Sequence, residues 1–164
     1  QLFGDVYNLT DSFPYWFAGV AACMGVSNLL NSRLVMRFGM RRLSHSALIF
    51  LLFINAAHAI IAALGFASFP VFYSLMMLSF LMIGFIGPNF TATAMEPMGR
   101  MIGIASALYG CMTTLGSGYF GGIIASQFNG DTTPVFIGNS IAILVSLCAV
   151  FIAENGRLFE TKHA

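Results

Sequence analysis

Residues 31–43 read NSRLVMRFGMRRL and gather Arg33, Arg37, Arg41 and Arg42 within ten positions, with long apolar runs on either side. Charged side chains are costly in hydrocarbon, so this stretch cannot lie across a bilayer and must sit to one side of it. Lys and Arg in short connections mark the cytoplasmic side. An inside placement of this arginine loop fixes the direction of every apolar run before and after it.

Composition leads to the same class. The chain has 164 residues, 58% hydrophobic and 8% charged, against about 25% charged in a soluble domain. That is too little charge to cover a water-facing surface, and an all-α membrane protein is expected. The net charge is +1 and the basic residues fall between the apolar runs, which argues against a nucleic-acid partner. Cys23, Cys111 and Cys148 are dispersed through apolar sequence. They have the spacing of neither a disulfide framework nor a metal site, so no metal or cofactor is expected. The opening QLFGDVYNLTD lacks the basic region and apolar run of a signal peptide. Because it starts at Gln1, a fragment with its start missing is expected.

Five spans are predicted, over residues 14–31, 44–66, 70–88, 101–126 and 134–154, each near the 20 residues or so that a bilayer core requires. Pro14, Pro70 and Pro134 open the first, third and fifth, where a missing N–H is harmless. Tyr15 and Trp16 suit an interfacial aromatic belt, and Ser44 suits an N-cap of the second helix. Gly87-Pro88 is expected to break the third helix, leaving residues 89–100 as a loop with Glu96 and Arg100. With the arginine loop inside, the inner segments hold Arg33, Arg37, Arg41, Arg42, Arg100, Arg157 and Lys162, all seven basic residues. Chance would place them so only about once in a hundred. The amino end is then outside and the carboxyl end cytoplasmic.

Apart from Glu154 at the very end of the fifth, no Asp, Glu, Lys or Arg falls inside a predicted span. His58 does, with Asn55 one turn before it. The pair reads either as a proton site or as a hydrogen-bonded histidine at a helix contact. Gly103, Ala107, Gly110, Thr114, Gly118 and Gly121 recur at helical steps along the fourth span. They form a small-residue seam against which another backbone can approach, in a sliding or a static contact. Tyr73, Met76, Met77 and Phe80 share a face of the third span, read either as a permissive apolar cavity wall or as ordinary core or lipid-facing surface. Glu96 has no readable catalytic partner, and no phosphate loop or nucleophile elbow is present, so an enzyme is not expected.

SRLVMRFGMRRL resembles a degenerate copy of the major facilitator loop motif G-x-L-x-D-R-x-G-R-R-x-L. Arg37, Gly39, Arg41 and Leu43 match it; Ser32 replaces the first glycine and Met36 the acid. The segment GPNFTATAMEPMGRMIGIASALYG resembles Bcr/CflA-type multidrug exporters. Asn89, Ala92, Ala94, Glu96, Pro97, Gly99, Gly103, Ala105, Ser106, Ala107, Leu108 and Gly110 carry that likeness. The resemblance implies helices 8–12 of a twelve-helix transporter, hence most of its carboxyl-terminal six-helix domain, with the amino-terminal half absent. It implies export of small amphiphilic drugs in exchange for protons by alternating access, in the bacterial inner membrane. The proton gradient would be the energy source, and the missing half the principal partner besides the lipid bilayer. A metabolite exporter and a non-transporting five-span scaffold are the alternatives.

Overall fold

The computed structural model describes residues 2–159. They are all-α, without a strand, and membrane-like. Five long helices follow one another: α1 (Phe13–Phe38), α2 (Met40–Ala63), α3 (Phe69–Met95), α4 (Ile102–Ser126) and α5 (Thr133–Ala153). By length and composition α1, α2, α5 and the run Phe69–Ser126 could each cross a membrane. Gly99, at φ 46° and ψ −120°, bends that last run and separates α3 from α4.

The arginine loop is not a loop. α1 runs on through Arg33 and Arg37, and α2 starts at Met40, so Gly39 alone connects two helices. Its φ of 81° is open to glycine at little steric cost. Side-chain charge is no obstacle to helical backbone; it only bars the helix from hydrocarbon. Ser44 is consequently not an N-cap. It lies one turn inside α2 and its hydroxyl donates to Met40 O at 2.8 Å.

The expected break at Pro88 is also absent. α3 carries Pro88 in its interior and continues to Met95, so GPNF is not a helix end and residues 89–95 are not loop. Proline removes one helical N–H, the one that would reach Gly84 O, yet is tolerated inside an apolar helix. Here Asn89 Nδ2 donates to both Phe85 O and Asn31 Oδ1 at 2.7 Å, and Thr91 Oγ1 donates to Gly87 O at 2.9 Å. Residues 96–101 form a 3₁₀ turn.

α2 lies at the centre, packed against α3 and α5, and α3 packs in turn on α1. The α1–α3 contact is tight at Gly84, where an added Cβ would stand 2.6 Å from Ser27 Cβ, and at Gly19, where it would run into the Tyr73 hydroxyl. Ser27 Oγ donates across to Leu81 O at 2.6 Å. At the other end, Leu2–Val6 form a short π-helical turn rather than a polar loop. Phe3 and Tyr7 reach into an aromatic cluster around Phe72 and Phe136. Tyr7 donates its hydroxyl to Ala67 O at 2.9 Å; burial first, then the Asp131 carboxylate, raises its pKa. Trp16 packs edge-on to Tyr73, while Tyr15 is 81% exposed, as a belt residue would be. Gln1 and residues 160–164 lie outside the described residues, Lys162 among them.

Candidate functional site

Three features gather side chains of possible chemical consequence, and the best ordered is the charged end of the bundle. Arg41 opens α2, Glu96 follows α3 and Glu154 follows α5. Arg41 Nε donates to Glu154 Oε1 at 3.0 Å, and its Nη2 lies 3.9 Å from Glu96 Oε2. One guanidinium thus ties the ends of three helices. The Arg41 and Glu154 side chains are largely buried, which limits solvent screening of that pair. Both carboxylates come from distant sequence. Arg42 Nε donates instead to Phe159 O at 3.0 Å, and His45 Nδ1 accepts the Phe159 N–H at 3.3 Å. Arg37 lies over the ring of Phe38.

Asn89 joins α3 to α1, Glu96 contributes to the charged tie, Pro97 lies in the first turn of the 3₁₀ segment, and Gly99 makes the bend. Gly103 touches nothing that a Cβ would meet.

The second feature is a cavity of about 290 Å³ between α2, α3 and α5, lined in part by Asn55, Ser79, Asn139, Met76, Phe80 and Phe136. Met76 and Phe80 of the expected wall do line it. Tyr73 does not; its hydroxyl donates to Trp16 O at 3.0 Å and its ring packs on α1. Met77 is not among the lining residues either. The four residues thus do not form one wall. Asn55 Nδ2 donates to Leu51 O at 3.0 Å and reaches Ser79 Oγ at 3.5 Å.

His58 is fully buried and stacks on Phe136 with ring centroids 3.5 Å apart, with Phe72 edge-on at 5.4 Å. The helix contact is as expected, but neither ring nitrogen has a hydrogen-bond partner among the described residues. The hydrogen-bonded histidine is corrected to one held by aromatic rings. Among the described residues no Asp, Glu, Lys or Arg forms an ion pair or hydrogen bond with it.

The third feature is the seam on α4. Gly103, Ala107, Gly110, Thr114, Gly118 and Gly121 are all exposed, and α4 has no buried residue. A Cβ built on any of the four glycines meets nothing within 4 Å. Among the described residues the seam is a face without an occupant. Among the described residues no group of three His, Cys, Asp or Glu could hold a metal ion.

Glu154, His45, Asn31 and Asn139 were missed in the sequence. Only Glu154 left a signal: it is the acid at the end of the last apolar run, on the side where the arginines collect.

No family model matches the chain, and no curated protein or solved structure matches it.

Proposed function

We propose that this chain is part of a membrane secondary transporter that exports small amphiphilic drugs in exchange for protons by alternating access. The observation that carries the reading is the bare seam of α4. A helix with a full-length stripe of small residues is suited to close backbone contact, yet nothing in this chain occupies the stripe. A second helical half would fill it, and two halves moving against each other around a central site is the architecture of such carriers. The Arg41–Glu154–Glu96 tie supports the reading, since it binds α2, α3 and the end of α5 into one unit at one face. In this reading that face is cytoplasmic in a bacterial inner membrane, the amino end lies outside, and the proton-titrating acids belong to the other half. Met76 and Phe80 border a cavity that α3 shares with α2 and α5.

The test is resistance in a pump-deficient bacterium carrying the complete reading frame. Resistance to amphiphilic antibiotics should rise, and the pair Gly110→Leu with Gly118→Leu should abolish the rise at unchanged membrane abundance. Unaltered susceptibility with confirmed membrane expression would overturn the proposal.

A further inference from the structure

The charge at the arginine face is unevenly matched. Both nearby carboxylates go to Arg41. Arg42, one residue on, points about 100° further round α2. It is exposed, and no carboxylate among the described residues pairs with it. Its Nε is used by Phe159 O, which leaves four of the five N–H donors of a guanidinium. Arg42 borders a groove of about 270 Å³ whose other walls are Phe38, Leu43, Ser46 and Phe159. Arg37, 5.5 Å over the Phe38 ring, brings a second positive charge to the same mouth.

Below the groove, α2 continues the pattern. Steps of four and three residues lead from Arg42 to Ser46, Phe50 and Phe53 on one face. Phe50 is 61% exposed and Phe53 66%. From Arg42 to Phe53 the helix rises about 16 Å, close to half of a hydrocarbon core of roughly 30 Å. A cation, a hydroxyl and then a bare aromatic surface, extending over one leaflet, match the shape and polarity of a phospholipid. No carboxylate among the described residues lines the groove, so the ammonium of a zwitterionic headgroup finds no partner among them, whereas a net negative headgroup does.

We propose that this stripe binds one anionic phospholipid, with its phosphate on the Arg42 guanidinium and its acyl chains against Phe50 and Phe53. The inference requires α2 to lie in a bilayer and does not depend on transport.

Native mass spectrometry of the chain in a maltoside detergent tests it. Dioleoyl phosphatidylglycerol should be retained as a single adduct at about tenfold lower concentration than dioleoyl phosphatidylcholine, the preference expected of one charge-assisted contact. Arg42→Gln should remove the preference, Arg42→Lys should keep part of it, and Arg100→Gln, in the turn before α4, should leave it intact. The exposed pair Phe50→Ala with Phe53→Ala alters no charge, and should weaken retention of both lipids while leaving the helical circular dichroism unchanged. Equal retention of the two lipids in the native chain would overturn the proposal. So would equal loss in Arg42→Gln and Arg100→Gln, which would mean diffuse attraction, or displacement of the lipid by millimolar inorganic phosphate, which would mean a small-anion site.

Discussion

Arg41 Nε donates to Glu154 Oε1 at 3.0 Å across 113 positions of sequence. The first turn of α2 is thereby joined to the end of α5, and Glu96 stands 3.9 Å from the same guanidinium. A half-buried pair keeps more of its Coulomb energy than an exposed one, and its loss leaves the remaining charge without compensation.

Arg41→Ala should therefore lower stability in detergent by roughly 1–2 kcal/mol, seen as a lower thermal midpoint by circular dichroism. Glu96→Gln should cost distinctly less, because its contact is longer and its carboxylate is 58% exposed. Equal losses would show that Glu96 shares the tie evenly.

Asn31 and Asn89 are buried, and their amides meet at 2.7 Å between α1 and α3. Asn89→Leu should cost roughly 1–2 kcal/mol, since it leaves the Asn31 amide unpaired in an apolar contact. Adding Asn31→Leu should recover part of that cost. Additive losses in a double-mutant cycle would show that the two amides do not act as a pair.

His58→Phe tests the aromatic sandwich. A neutral imidazole with two unpaired nitrogens contributes no hydrogen bond, so an aromatic ring of similar shape should be neutral or stabilising by about 1 kcal/mol. In the transport assay the variant should export normally. Loss of stability together with loss of export would return His58 to the role of a proton site.

Tyr7 sets an alkaline limit. Its phenol has a raised pKa in the folded chain, so the folded state holds its proton above the point where the unfolded chain releases it. The stabilisation is complete below about pH 10 and declines as pH rises through the folded value. Tyr7→Phe should lose about 1 kcal/mol at neutral pH with the bond to Ala67 O, and this deficit should shrink in strongly alkaline detergent solution. A deficit constant with pH would refute the assignment.

The helices were legible in the sequence because hydrocarbon leaves the backbone few alternatives. Every N–H and C=O must be satisfied within the segment, so an apolar run of the right length becomes helix whatever its neighbours do. The ends were harder to read. Charge at residues 33–42 and Pro88 both suggest breaks, yet helix persists through Arg33 and Arg37 in α1, across Pro88 in α3, and through Arg41 and Arg42 in α2. A guanidinium constrains position relative to lipid, not backbone dihedrals, and a proline inside an apolar helix removes one N–H without ending it.

Residue type and spacing alone determined that this chain is helical and membrane-like, that Gly99 and Gly39 lie at junctions, and that α4 presents a stripe of small side chains. The tertiary structure alone decided that Glu154 and Glu96 meet Arg41, that His58 is enclosed by Phe72 and Phe136, that Tyr73 turns to α1 while Met76 and Phe80 border a cavity, and that the α4 stripe has no occupant. Helix formation depends on local chain chemistry, whereas pairing across 113 positions depends on how helices pack, and side-chain periodicity within one helix does not encode which neighbour its face will meet.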